Sequence, residues 1–110
     1  MLLERFHSVR DGRVTISALQ ASQFAKEVAG DFNPIHDPDA RRFCVPGDLL
    51  FAVVLSRFGL SQNMTFRFRS LVGDGVELMF RENGDESIEV CDEGGKVYLE
   101  VTRSGDITRD

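Results

Sequence analysis

The 110-residue sequence is short of the features that mark several large classes of protein. Its two cysteines, Cys44 and Cys91, lack CxxC spacing and are too few for a disulfide framework. Charge follows three apolar residues at the N terminus, which is unlike a secretory signal, so we expect reduced thiols and a cytoplasmic protein. The longest wholly apolar run, Leu49 to Leu55, is far shorter than the roughly 20 residues that cross a bilayer. We therefore expect no membrane partner.

An excess of basic residues is also missing. Thirteen Lys and Arg residues against 18 Asp and Glu residues give a formal net charge of −5. This charge opposes binding to nucleic acid and to anionic lipid, although Arg41-Arg42 and Arg67 with Arg69 form two local basic pairs. We expect no nucleic-acid partner.

What is present is the composition of one folded domain. A hydrophobic content of 42% with nine phenylalanines is enough for a single core over residues 1–110. Because a domain of this size has an unfavourable ratio of surface to volume, association with a second copy would bury more apolar area. We expect a homodimer.

Local signals predict two helices and a sheet. Asp11-Gly12 is typical of a hairpin turn, a helix is predicted from Ser17 to Gly30, and a second, almost wholly apolar helix from Pro46 to Gly59. Alternating segments separated by glycine turns then predict four strands, which we interpret as an antiparallel meander. A helix without a polar face must be surrounded by other structure. The predicted fold class is α+β, an antiparallel sheet wrapped around a central helix.

The segment between the two predicted helices, GDFNPIHDPDA, holds the strongest chemical candidates. His36 can exchange a proton near neutral pH and Asp31 can accept one, so the two can support acid-base chemistry. Pro34 fixes its own φ and biases Asn33 away from helical geometry, which stiffens the loop. From the residues alone, an ordinary Asn-Pro turn with a packed or surface histidine is the commoner interpretation.

A metal site is a weaker interpretation of this loop. Ile35 stands where a calcium loop needs its third oxygen ligand, and no glycine is next to it. His36 with scattered aspartates is a poor ligand set for zinc. We therefore expect no metal and no cofactor.

Three segments together resemble the hydratase-2 motif of the MaoC-like, (R)-specific enoyl-CoA hydratase family. They are Phe24-Ala25, the run Gly30 to His36, and Pro46-Gly47 at the start of the apolar helix. The segment FRFRSLVGDGVEL is similar to that family's strand and turn, so the resemblance covers about Ser17 to Leu78. It implies the hotdog fold, in which a sheet wraps one long helix.

The resemblance also implies a reaction and its residues. Asp31 and His36 would occupy the catalytic positions, with Asn33 as an orienting neighbour and backbone N–H groups at Gly47 facing the thioester oxygen. The substrate would be a trans-2-enoyl thioester of coenzyme A or acyl carrier protein, hydrated to the (R)-3-hydroxyacyl thioester or formed from it by dehydration. No cofactor is implied.

Two departures from the family pattern bear on this expectation. Only eleven positions separate His36 from Gly47, fewer than the family usually has, so part of the wall over an acyl site is expected to be missing. Asp48 stands where an apolar residue is usual, and its charge would oppose a nearby oxyanion, although an acid in a first helical turn also stabilises the helix. These departures keep open a non-catalytic domain that binds an acyl chain or a protein. A thioesterase is a third alternative, because fold alone does not separate these activities.

The remaining candidates have structural explanations. Arg67 and Arg69 could meet phosphates of the thioester carrier, but alternating arginines on a strand are more often its solvated face. Cys44 and Cys91 have no histidine within local spacing, so we expect no nucleophilic thiol. Four aromatic residues could line an acyl tunnel or simply belong to the core: Phe32, Phe43, Phe51 and Phe58.

Overall fold

The computed structural model of the chain describes residues 3–41, 43–84 and 86–108, so Arg42 of the first basic pair lies outside the described residues. Its regular elements confirm the predicted α+β class. They are β1 (Ser8–Arg10), β2 (Arg13–Thr15), α1 (Ala18–Glu27), α2 (Gly47–Phe58), β3 (Leu60–Phe68), β4 (Met79–Asn83), β5 (Ser87–Cys91) and β6 (Val97–Thr108), with short 3₁₀ turns at Leu3–Arg5 and Pro34–His36.

The first half of the chain folds as its local signals predict. Asp11 and Gly12 have φ of 54° and 76°, which a two-residue hairpin turn of the right twist requires. Helix α1 begins with a reciprocal cap, in which the Ser17 hydroxyl accepts from the Gln20 N–H and the Gln20 side chain accepts from the Ser17 N–H. A second acceptor comes from far along the chain, because Asp74 Oδ1 lies 2.7 Å from the Ala18 N–H.

The sheet differs from the predicted meander at one strand. Its order is β3-β6-β5-β4 with antiparallel neighbours, so β3 pairs with β6 and not with β4. The connection after β3 crosses to the opposite edge of the sheet, where Val14 of β2 and Leu78 exchange two backbone hydrogen bonds. The N-terminal hairpin is therefore a separate two-stranded sheet that one isolated bridge joins to this edge.

Helix α2 supplies the centre of the core. Its buried side chains form one cluster with the inward-facing residues of β5 and β6, among them Ile88, Val90, Leu99 and Val101. A fully buried leucine such as Leu49 is worth about 2–5 kcal/mol relative to alanine at such a site. An antiparallel sheet wrapped on one apolar helix is the arrangement of the hotdog fold, as the resemblance implies.

The apolar character of α2 predicts that most of its length has no solvent face, and the structure departs from this along one flank. Phe51 is 40% exposed, and its ring lies 4.6 Å from that of Phe66 on β3. Phe68 is 50% exposed, and its ring lies against Gly47. A Cβ atom added at Gly47 would be 3.4 Å from Phe68 Cζ. We call these three phenylalanines, Phe51, Phe66 and Phe68, the aromatic face. The helix is wrapped on its core side and open along this flank.

The two strand arginines have partners on the polar side of the sheet. Glu100 on β6 lies 2.9 Å from Arg69 and 3.9 Å from Arg67. Exposed pairs of this kind contribute about 0–1 kcal/mol each. The solvated-face interpretation of the alternating arginines is thus the one that the contacts favour.

Cys44 and Cys91 are both buried and free. Across the described ranges, no helix has both the length and the apolar character that a bilayer span needs.

Candidate active site

The end of α1 fixes the position of Asp31. Gly30 has φ of 64°, a conformation that glycine adopts without strain. The chain changes direction here, after the end of α1. The Asp31 N–H then donates to the carbonyl of Ala25 over 2.6 Å, so the residue is tied to the last turn of the helix. Its carboxylate accepts the Asn33 N–H at Oδ1 over 3.0 Å. The acid is placed by backbone geometry at the start of the loop.

Asn33 orders the next turn of the loop. Its side-chain oxygen accepts the Ile35 N–H over 3.2 Å and caps the 3₁₀ turn Pro34–His36. This is the local side-chain bond that favours asparagine before a short helix. Asn33 therefore acts on the conformation that carries His36.

His36 lies beneath the loop and contacts Asp31. Its side chain is 9% exposed, while that of Asp31 is 44% exposed, and Nε2 lies 3.3 Å from Asp31 Oδ2. On the other side of the ring, Nδ1 lies 2.7 Å from the carbonyl oxygen of Cys44. Because a carbonyl oxygen accepts and does not donate, Nδ1 carries a proton in this contact. The structure thus brings together the two residues singled out for acid-base chemistry.

Cys44 is closer to a histidine than its place in the sequence suggested. Local spacing in the sequence offers no histidine partner for Cys44, but in the fold its Sγ lies 3.9 Å from His36 Nδ1. Burial raises the pKa of the Cys44 thiol, and the charge of Asp31 raises it further. A buried thiol held in its protonated form is a poor nucleophile. The contribution of Cys44 to the site is its backbone carbonyl.

The N terminus of α2 is the remaining predicted part of the site. The Leu49 and Leu50 N–H groups donate to the carbonyl of Pro46. In the part of the chain that the structure describes, the N–H groups of Gly47 and Asp48 have no hydrogen-bond acceptor. Both residues are exposed, and the Phe68 ring packs against Gly47. Hydrogen bonds connect Asp31, Asn33 and His36 to one another, whereas Gly47 is joined to them through the short segment after Cys44.

Comparison with known proteins places the chain in a family. The family model described as "Protein of unknown function (DUF3581)" matches residues 1–110. The chain belongs to this family. No curated protein matches the sequence. Among solved structures, the Escherichia coli PaaI protein from the phenylacetic acid degradation operon is similar at 17% identity with a TM-score of 0.41. That match covers 62% of this chain and 65% of the PaaI chain. The hotdog arrangement of this DUF3581 domain is seen in its own strand order and central helix.

The loop of this DUF3581 domain is also anchored at its far end. Lys26 on α1 forms an ion pair of 3.1 Å with Asp37, the residue after His36, and the Cys44 N–H donates to the Ile35 carbonyl. The Lys26–Asp37 pair and the Cys44–Ile35 bond hold the loop on both sides of His36.

A cavity of about 420 Å³ also borders the loop. It is lined not by Asp31 or His36 but by Pro34, Ile35, Asp37, Asp39, Ala40 and Arg41.

Sequence reasoning missed two parts of this arrangement. The acceptor for His36 Nδ1 is a backbone carbonyl eight residues away, and a carbonyl leaves no mark in residue identity. The Lys26–Asp37 pair joins a helix to a loop, and surface lysines and aspartates are too common to signal such a contact. Over the described residues, no group of three or more His, Cys, Asp or Glu side chains is placed to hold a metal ion.

Proposed function

We propose that this domain is a hydratase or dehydratase that interconverts trans-2-enoyl and (R)-3-hydroxyacyl thioesters by acid-base catalysis at Asp31 and His36. The observation that carries the proposal is the 3.3 Å contact between Asp31 Oδ2 and His36 Nε2 at a loop that resembles the hydratase motif. A half-exposed carboxylate beside a buried imidazole can take up and return a proton at the protein surface.

The reaction adds water across a carbon–carbon double bond. The oxygen of the water attacks Cβ of the enoyl thioester, and the proton that it loses passes to the Asp31–His36 pair. The pair returns one proton to Cα, so its own protonation is unchanged at the end of the cycle. Dehydration runs through the same steps in reverse.

Negative charge builds on the thioester oxygen as the new bond forms. The N–H groups of Gly47 and Asp48 have no acceptor among the described residues, and from the positive end of α2 they would donate hydrogen bonds to this oxygen. One such donor contributes about 3–4 kcal/mol to transition-state stabilisation in other enzymes. The Asp48 side chain is exposed, so water screens much of its charge.

The proposal includes the carrier, the assembly and the compartment. The acyl group would be bound to coenzyme A or acyl carrier protein. Two copies would associate, because Phe51 and Phe68 expose apolar area that a partner would cover. A cytoplasmic location would keep the two free thiols reduced.

The aromatic face also favours a second candidate function. A non-catalytic domain that binds an acyl chain or a partner protein would need an exposed apolar surface, and the aromatic face is one. The shortened segment before Gly47 and the charge at Asp48 fit this candidate as well.

The deciding test is hydration of crotonyl-CoA, followed as loss of the conjugated enoyl absorbance. We expect turnover by the wild-type protein, a loss of at least about 100-fold in Asp31→Asn, and wild-type rates in Asp39→Asn, an exposed acid of the same loop. Absence of turnover in the wild type with crotonyl-CoA and with a longer enoyl-CoA, together with retained acyl-CoA binding, would favour the non-catalytic candidate.

A further inference from the structure

The two ring nitrogens of His36 both have partners inside the protein. Nδ1 donates to the Cys44 carbonyl over 2.7 Å, and Nε2 lies 3.3 Å from Asp31 Oδ2. With 9% of its side chain exposed, the ring is almost fully buried. In this arrangement the imidazole has no nitrogen left to hold a substrate water.

Asp31 has the opposite character. Its side chain is 44% exposed, and each oxygen has one partner, the Asn33 N–H for Oδ1 and His36 for Oδ2. An ionised carboxylate has about four acceptor sites, so Asp31 retains capacity to bind water or substrate. Asp31 is therefore the member of the pair that water or substrate can reach.

The contact between the two residues requires a proton. With Nδ1 protonated, a neutral imidazole has a lone pair at Nε2, which would face the lone pairs of the carboxylate. The 3.3 Å contact is favourable only when a proton lies between Nε2 and Oδ2. Among the described residues, the buried thiol of Cys44 also contacts the ring, and burial raises its pKa, which keeps it neutral. The Lys26 ammonium nearby is paired with Asp37.

We propose that Asp31 alone contacts the reacting water, and that His36 is a positioning residue that acts through Asp31. The Cys44 carbonyl holds the Nδ1 proton, and this fixes Nε2 as the atom that shares a proton with Oδ2. Asp31 then takes the proton of the attacking water and delivers it to Cα, while the shared proton keeps the carboxylate oriented. The kinetic part of this assignment rests on the proposed function, and the location of the protons does not.

Nitrogen-15 NMR of the histidine rings tests the proton location without any substrate. The chain has two histidines, His7 and His36, and a His7→Gln variant assigns the signals. We expect a proton on Nδ1 and a second proton shared between Nε2 and Asp31 Oδ2, so that Asp31→Asn shifts the Nε2 signal while the control Asp39→Asn leaves it unchanged. A neutral ring protonated at Nε2, or an Nε2 signal that ignores Asp31→Asn, would overturn the proposal.

Two replacements of His36 test its role in turnover. The amide nitrogen of glutamine can reach the place of Nε2, and that of asparagine the place of Nδ1. His36→Gln can still donate to Asp31. We expect its turnover to be about tenfold or more above that of His36→Ala, the size of effect seen for partners that act through a neighbouring group. His36→Asn, which keeps the bond to the Cys44 carbonyl, should match His36→Ala.

The outcomes separate the two claims. Equal loss in His36→Gln, His36→Asn and Asp31→Asn, with unchanged melting temperatures, would mean that the imidazole itself contacts the water. If a variant does not fold, the NMR comparison of wild type with Asp31→Asn still decides the proton location. If the NMR result is as expected and no enoyl thioester is hydrated, the proposed function fails and the proton arrangement stands.

Discussion

Two aspartates in this domain each pair with a ring, and they do so in different ways. Asp31 follows α1 and contacts the imidazole of His36. Asp92 follows β5, where Oδ1 accepts the Lys96 N–H over 3.0 Å and Oδ2 accepts the Tyr98 hydroxyl over 2.9 Å. The backbone bond from Lys96, followed by the Tyr98 bond, holds the pKa of Asp92 below its usual value.

The difference lies in what the partner can do with a proton. Burial and the Asp92 carboxylate raise the pKa of the Tyr98 phenol, so neither member of that pair changes its charge near neutral pH. The imidazole beside Asp31 belongs to the side-chain type that does exchange protons there. Asp92 therefore stabilises the turn between β5 and β6, and we call its pair with Tyr98 the hairpin clamp. Asp31, bound in a similar way to a backbone amide and a ring, is instead part of a candidate acid-base centre. The identity of the ring distinguishes them.

The largest expected effect separates the two aspartates by turnover. Asp31→Asn should lower hydration of crotonyl-CoA by at least about 100-fold, because an amide cannot accept the proton. Asp92→Asn should leave the rate at the wild-type level under conditions where both variants are folded. Initial rates at saturating substrate measure the contrast, and an equal loss in both variants would remove the distinction that we draw.

Stability should show the reverse order. Asp92→Ala leaves the Lys96 N–H and the Tyr98 hydroxyl without their acceptor and should lower the melting temperature. Asp31→Asn retains an oxygen for the Asn33 N–H and should melt close to the wild type. Thermal unfolding followed by circular dichroism measures both, and a larger shift in Asp31→Asn would contradict this order.

Removal of the Tyr98 hydroxyl tests the contribution of the Tyr98–Asp92 hydrogen bond to stability. Tyr98→Phe keeps the buried ring and deletes the bond to Asp92, at an expected cost of about 1 kcal/mol in the free energy of unfolding. Urea unfolding of Tyr98→Phe against wild type gives this value. We expect no further loss when Tyr98→Phe is combined with Asp92→Asn, since the bond is already broken.

The pH dependence of the clamp has a definite sign. Because the pKa of Tyr98 is raised above 10.0 in the folded protein, its contribution to stability is full below the unfolded pKa and is lost as pH rises through the folded pKa. Tyr98 is the sole tyrosine, so phenolate absorbance reports this group directly. Burial, the larger cause of the raised pKa, remains in Asp92→Asn, so this variant should lower the midpoint only in part, and an unchanged midpoint would contradict the contribution assigned to Asp92.

The smallest effect concerns the thiol next to the acid-base pair. The raised pKa of Cys44 predicts alkylation by iodoacetamide much slower in the folded than in the denatured protein. Asp31→Asn removes the second cause of the shift and should accelerate the reaction slightly. Mass spectrometry of the modified peptide distinguishes Cys44 from Cys91, and fast native alkylation of Cys44 would contradict the burial described here.

Much of the fold could be predicted because its signals are local. Ser17 caps α1, Pro46 and Gly59 flank α2, and Gly30 reverses the chain three residues after α1 ends, all signals that depend on neighbouring residues. The pairing of β3 with β6 could not be read in the same way. It joins residues far apart in the chain, and each strand pattern is compatible with more than one neighbour.

The same difference between local and long-range signals applies to the candidate site. The nearness of Asp31 and His36 follows from a stiff loop of six residues, so the sequence was sufficient to propose the pair. The enclosure of the ring depends on where the chain returns at Cys44, and the open flank of α2 depends on how far the sheet wraps. Both are properties of the assembled fold, and residue types alone do not contain them.

The bond from the Ala18 N–H to Asp74 has a consequence for the order of events during synthesis. It spans 56 positions, and the bond from the Val45 N–H to the Val72 carbonyl closes a further long loop. Loop-closure entropy makes such contacts late ones, and synthesis delivers the acceptors after the donors. The start of α1 and the segment after Cys44 thus wait for residues 72–74. Since the Cys44 carbonyl accepts from His36, the bond of the neighbouring Val45 to Val72 links the acid-base loop to a segment that is translated later.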